Sequence, residues 1–534
     1  LIDGANFFIW HTFTASPPEV GKPGYEYFAG THINTNITWW NKAGGFFTYL
    51  GRCQSMLRKG NFVADACCYV SDKNYQMWGR AEKWNPNSSL VPVKGISYDL
   101  LNSEVIINRL SVKNGQLVLP DGMSYKMLVV DLIDPVIPAE VLSKITKLIN
   151  DGATVILGKT KPTITPGIKD YPGCDKEIGT LADKLWTGYD ETVKINILGK
   201  GKIITGPSME EIVKKLNMLP DFEGPFQYIH RNCENFDLYF VSGEGNNDCI
   251  FRVNNKKPEM WDPVTGKISQ AVSYRQTNDG RTIVPLTLSK NGSAFVIFRE
   301  KAESKHFTLV SGPENPQLVS KDENSSKFIF WKSGNYAFTT SNGKTNKAQV
   351  TVISPLEMPG SWNVAFNPAT GVKGWETTFE KLTLWNEHSN PQIKYFSGTA
   401  TYSKSFTLTA EQAKLTSRLQ LGVVHDISRV WINGKDLGVV WTYPWMVDLS
   451  GNLKEGTNEL KIEVTNCWAN RLIGDAGLPE SQWTTKTNVR RVPDRSVYKE
   501  GHQAFSSKDE LMPSGLVGPV SIEFGDQQDI IIQN

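Results

Sequence analysis

The segment GYEYFAGTHINTNITWW (24–40) gathers the carboxylate Glu26, the imidazole His32, the amides Asn34 and Asn36, and the neighbouring indoles Trp39 and Trp40. It follows neither a helical nor a strand period, and ordering such a loop costs conformational entropy. Polar, aromatic loops of this kind commonly carry function. Carboxylates and imidazoles are the usual groups of general acid–base chemistry. Glu26, and Glu19 upstream, could each act as acid or base, and a solvated loop glutamate is the ordinary alternative. His32 and Asn34 are candidate ligand contacts. Adjacent side chains point in different directions, so one of Trp39 and Trp40 could stack on a ligand while the other anchors the helix that follows.

Two more candidates lie outside the loop. His11 stands near the end of the apolar run ANFFIWHTF (5–13), where it is either a ligand contact or a core histidine. Asp99 in YDLL could orient a hydroxyl or a positive centre, or could cap a helix over 100–110. Glu104, five residues on, reads as structural.

The elements that must hold these groups follow from hydrophobic patterning. The run 5–13 has the length and continuity of a strand buried on both faces. Residues 41–60 carry Phe46, Phe47, Leu50, Cys53, Met56 and Leu57 at helical spacing and end at Gly60. FVADACCYV (62–70) is a second buried strand, so 5–70 reads as strand, long loop, helix, strand. A second long loop, 71–97, precedes a helix over 98–110. A strand at 126–133, a helix at 138–152 closed by Gly152, and a strand at 153–158 continue the α/β pattern. GKTKPT after that strand lacks the spacing of a phosphate loop. From about 226 short alternating segments predict antiparallel sheet, and from about 355 a β-sandwich. Asn433-Gly434 there suits a tight hairpin.

The 534 residues are too many for one core. We divide them into 1–115, 116–225, 226–354 and 355–534. Lys plus Arg, 57, nearly balances Asp plus Glu, 55, which argues against a nucleic-acid partner. Sixteen tryptophans within an aromatic share of 11% suit either sugar stacking or sandwich cores. The seven cysteines show no CxxC spacing, which argues against a zinc site and a disulfide framework. No apolar run reaches membrane-spanning length. The chain opens without Met in strand-like sequence, which reads as an interior start.

HT (11–12), GTHINTNITWW (30–40), RCQSMLRKGNFVADACCYV (52–70) and YDLLNSEVIINRL (98–110) together resemble the C-terminal part of the catalytic region of glycoside hydrolase family 106, the α-L-rhamnosidases. YFSGTATYSKSF, VWINGKDLGVVW and NCWANRLIGDAGLP resemble that family's C-terminal sandwich, which is similar to the sugar-binding domain of family 2 glycosidases. The resemblance implies a multidomain α/β plus β protein: a partial (β/α)8 barrel over 1–115, an α/β subdomain, and β domains including a jelly-roll. The runs 5–13 and 62–70 would be the last two barrel strands, with the loops after them on the active-site face. Asp99, His11, His32, Asn34, Trp39 and Trp40 would then be substrate-binding.

The resemblance further implies inverting hydrolysis of terminal α-L-rhamnosides by two glutamates, with a calcium ion on the sugar hydroxyls. Inversion places the two carboxyl groups roughly 6.5–9.5 Å apart. The DSWE-like and AEAF-like motifs expected to carry them do not occur in this sequence. The catalytic pair and the calcium ligands are therefore expected upstream, and this chain alone is expected to be inactive. A rhamnose-containing oligosaccharide or polysaccharide is the implied partner, and the implied location is periplasmic or secreted. The alternatives are a carbohydrate-binding protein without catalysis, or a glycosidase for another sugar on the same scaffold.

Overall fold

The computed structural model describes residues 1–27, 29–30, 32–71, 90, 93–190, 192–322, 324–494 and 504–532. Its first layer is a six-stranded sheet ordered Tyr98–Leu101, Ala66–Tyr69, Met127–Val130, Thr154–Leu157, Gly201–Thr205, Lys194–Leu198. The first five strands are parallel and the last is antiparallel. Alternate residues face opposite covers. Cys67, Tyr69, Leu128, Val130, Val155 and Leu157 pack under the helices Ala139–Asp151 and Gly173–Leu185. Ala66, Cys68, Met127, Val129 and Ile156 pack against Met209 and Ile212 of the helix Met209–Lys215. A sheet covered on both faces needs apolar residues at every position, which is why ACCY, MLVV and TVIL show no alternation.

The described residues do not themselves form the expected barrel strands. Ala66–Tyr69 is a strand, but its neighbours are Tyr98–Leu101 and Met127–Val130 in an open sheet. Residues 5–13 form no strand, because no neighbouring strand takes their backbone hydrogen bonds. Phe7, Ile9 and Phe13 are 59%, 85% and 62% exposed. The expected boundary at 115 also falls inside one sheet, since strands on both sides of it pair. The span 98–110 is a strand followed by the short helix Ser103–Asn108, because Asn102 rather than Asp99 caps the helix, accepting from the Val105 amide at 3.0 Å. Most of the second expected active-site loop, 71–97, lies outside the described residues. The helix Gly44–Leu57 lies within the expected 41–60 but is capped by Arg58 rather than by Gly60, and the helix Ala139–Asp151 with its cap Gly152 falls where patterning placed it.

Beyond about 220 the chain is antiparallel β. Two long strands, Asp237–Phe251 and Thr282–Lys301, pair along their length with a register shift between Gly243 and Gly245. The C-terminal region is a two-sheet sandwich. One sheet runs Trp375–Phe379, Trp362–Pro368, Gly398–Leu408, Gly456–Thr465, Ile427–Ile432, Lys435–Val440. Its inward residues, among them Trp362, Tyr402, Val430 and Ile462, meet Leu419, Val447, Ile522 and Phe524 from the facing sheet. Asn433 and Gly434 take positive φ values of 51° and 79° at the hairpin, as their types suggested. The last long strand, Ser521–Ile531, pairs with both Thr416–Gln420 and Ser325–Phe330. It thereby stitches the sandwich to the preceding module across the boundary expected at 354. Among the described residues no helix is long and apolar enough to cross a membrane.

Candidate functional site

The loop after residue 13 is held by the far end of the chain. Pro23–Gly24 pairs in parallel with Lys486–Thr487. The Glu26 amide donates to Asn488 Oδ1 at 2.8 Å, and Asn488 Nδ2 donates back to the Glu26 carbonyl at 2.9 Å. The indole N–H of Trp468 donates to the Asn36 carbonyl at 2.8 Å, and the Thr38 hydroxyl donates to the Asn466 carbonyl at 2.5 Å. Gly30, at φ 100°, lies so close to residue 11 that a Cβ there would sit 1.8 Å from the His11 carbonyl oxygen. No side chain fits, so this glycine is a packing requirement of the loop.

Three of the expected residues or their neighbours converge. Glu26 Oε2 accepts from His32 Nδ1 at 3.0 Å and Oε1 accepts from Asn34 Nδ2 at 3.2 Å. Asn34 is buried, and its own Oδ1 accepts from the Asn36 amide at 2.8 Å. A carboxylate offers only lone pairs, so His32 must carry a proton on Nδ1. That leaves Nε2, which is buried without a hydrogen-bond partner among the described residues. An orphaned polar atom inside a loop clamped from two sides marks where a ligand group would pair. His11 stands on the same wall, exposed, with its ring 5.4 Å from that of Tyr27.

The tryptophans take packing positions. Trp39 meets Phe46 edge-on at 6.3 Å, and Trp40 meets Phe13 at 6.1 Å and Phe47 at 6.3 Å. Phe46 in turn meets Trp441 of the sandwich at 5.5 Å. Both indoles therefore belong to an aromatic joint between the loop, the helix Gly44–Leu57 and the sandwich. Asp99 is elsewhere. It lies in the edge strand Tyr98–Leu101, where Oδ2 accepts from the Tyr125 hydroxyl at 2.8 Å.

NRLIGD (470–475) lies in the helix Ala469–Ala476. Asp475 is 0% exposed and pairs with Arg471 of its own helix at 2.9 Å. Its Oδ2 also accepts from the Thr485 amide at 2.8 Å and hydroxyl at 2.5 Å. Asp475 thus fixes the segment that pairs with Pro23–Gly24 and presents Asn488 to Glu26. Sequence reasoning misses Asn488, because nothing local marks a partner 462 residues from Glu26.

Calcium does not fit these residues. It takes six to eight oxygen ligands, whereas both Glu26 oxygens are engaged by His32 and Asn34. Among the described residues no three His, Cys, Asp or Glu side chains gather as a metal site.

A multidomain, β-rich chain with a clamped histidine–carboxylate loop has clear relatives. The family model for glycoside hydrolase family 106, α-L-rhamnosidase, matches residues 1–276. The structure of a rhamnosidase from Novosphingobium sp. PP1Y superposes with a TM-score of 0.74 at 26% identity, over 99% of this chain and 45% of that one. A protein of Formosa agariphila provisionally named a beta-glucuronidase is 26% identical, over 97% of this chain and 60% of its own length. The chain belongs to glycoside hydrolase family 106. It spans less than two thirds of the length of either relative.

Proposed function

We propose that the protein carrying this chain hydrolyses terminal α-L-rhamnosides of plant or microbial glycans with inversion, outside the cytoplasm, in the periplasm or as a secreted enzyme. The observation that carries the reading is the family match over residues 1–276, which includes the clamped loop. In this reading the loop is a substrate-side wall. His32, oriented by Glu26, directs Nε2 at a sugar hydroxyl, and His11 stands beside it. The acid and base are the glutamates of the DSWE-like and AEAF-like motifs, which lie outside this chain. Any calcium ion would likewise be held by groups outside the described residues. The exposed run 5–13 completes its backbone pairing with the rest of a catalytic barrel.

In this reading Glu26, hydrogen-bonded to His32 and Asn34, orients the imidazole rather than transferring the proton. The test is hydrolysis by the full-length protein. Release of aryl aglycone from an α-L-rhamnoside is expected, with β-rhamnose as the first-formed sugar. Cleavage of an aryl β-D-glucuronide and not of the rhamnoside would replace this reading with the activity in the Formosa protein's name. Binding without cleavage of either would favour a carbohydrate-binding protein.

A further inference from the structure

A cavity of about 900 Å³ opens where three β modules meet, well apart in sequence from the Glu26–His32 loop. Its walls come from 260–294, from 315–331 and from 416–450 with Gln527. That volume lies near the top of the roughly 300–1,000 Å³ usual for ligand sites.

The joints around the cavity are well made. The Arg418 guanidinium lies 4.0 Å over the Trp331 ring while its Nε donates to Glu523 at 2.6 Å. Asn315 donates to the Thr287 hydroxyl at 3.0 Å, which donates to Asn246 at 3.1 Å. Tyr49 and Ser293 share a hydrogen bond at 3.0 Å. The space is thus bounded by fixed partners from each module.

The lining indicates what would fill it. Trp331, Trp441 and Tyr443 contribute aromatic surface. The Trp331 indole N–H is buried without a partner. Gln270, Gln317 and Thr442 also line the cavity, and their side chains make no hydrogen bond among the described residues. Charge is already spent or peripheral: Arg418 is neutralised by Glu523, Asp262 caps its own turn through Val264 and Thr265, and Lys267 and Asp448 are exposed. Indole and phenol surfaces with unengaged amide and hydroxyl groups, and no free internal charge, match a molecule with apolar C–H faces and many neutral hydroxyls.

We propose that this cavity is a glycan site that binds an uncharged oligosaccharide, separate from the Glu26–His32 loop. The proposal takes from the preceding reading only that the protein acts on glycans. Binding is read without hydrolysis, so either idea can fail while the other stands.

The test uses the full-length protein on an array of immobilised plant oligosaccharides, neutral and uronate-containing. It compares wild type, His32→Ala, and the double variant Gln270→Leu/Thr442→Val, whose altered side chains support no other group in the fold. His32→Ala should retain neutral oligosaccharides. The double variant should melt as wild type does and bind them about tenfold more weakly, as expected for two lost neutral hydrogen bonds. Equal binding by the double variant and wild type would overturn the site, and so would no neutral binding by any form. Preference for uronates would overturn the assignment of an uncharged ligand.

Discussion

At the scale of single residues the question is what Glu26 does. Each of its oxygens holds one partner, His32 on Oε2 and Asn34 on Oε1. Charge-assisted hydrogen bonds of this kind contribute roughly 1.5–3 kcal/mol each, so protonating Glu26 would release the His32 ring. In the proposed reading Glu26 is a positioning residue and His32 the contact. For the full-length enzyme, His32→Ala should lower kcat/KM on an aryl α-L-rhamnoside by about 10–100-fold, the loss of one such bond. Glu26→Gln should reduce activity less and leave both limbs of the pH–rate profile in place. Disappearance of one limb would make Glu26 the acid or base after all.

At the scale of elements, the α/β layer and the first antiparallel module are joined through buried charge. His230 places Nδ1 3.0 Å from Asp221 and Nε2 3.4 Å from Asp237. Arg252 pairs with both Asp65 and Asp221, Lys126 with Asp65, and Lys256 with Asp237. The Tyr239 ring stacks on His230 at 3.9 Å and its hydroxyl donates to Asp221 at 3.0 Å. Burial alone would push the His230 pKa down, but the charges and hydrogen bonds of Asp221 and Asp237 together outweigh it and hold the imidazole above its ordinary value. Burial would raise Asp221 and Asp237, and His230 with its neighbouring cations outweighs that and holds both low.

The sign of the pH dependence follows. The His230 contribution is complete below an unfolded pKa near 6.5 and is lost as pH rises through the higher folded value. The aspartate contributions are complete above roughly pH 4 and are lost as pH falls. Stability should therefore plateau between about pH 4 and 6.5 and decline on the alkaline side by at most about 1.4 kcal/mol per pH unit. Urea unfolding of wild type and His230→Asn from the plateau into the alkaline side checks this. The variant should be less stable and should lack the alkaline slope; the same slope in both would mean His230 is neutral in the folded protein.

At the scale of the whole molecule, the loop that bears His32 is shaped from the opposite end of the chain. Trp468 and Thr38 fasten its middle, Asn488 its start, and the Trp39–Phe46–Trp441 contacts its exit into the helix Gly44–Leu57. The C-terminal sandwich is thus part of the machinery that holds the site. Trp468→Phe keeps the ring and removes one neutral hydrogen bond, an effect of about 1 kcal/mol. Limited proteolysis should then cut within 14–38 faster than in wild type while the sandwich stays intact. Unchanged cleavage would show that the indole N–H does not restrain the loop.

Sequence alone determined what local chemistry dictates. The buried parallel strands announced themselves as unbroken apolar runs, the helix Ala139–Asp151 by its period and closing glycine, the hairpin at Asn433-Gly434 by residues that tolerate positive φ, and the reactive loop by its composition. Tertiary structure decided which strands neighbour which, because a backbone hydrogen bond has no sequence specificity: ANFFIWHTF is as good a strand as VADACCYV, and among the described residues only the second pairs. It also decided roles. Asp99 becomes the acceptor of Tyr125, Trp39 and Trp40 become a joint, and Asp475 becomes the buried brace behind the loop. Those assignments depend on partners tens to hundreds of residues away, and no local pattern encodes contacts that exist only once the chain has packed.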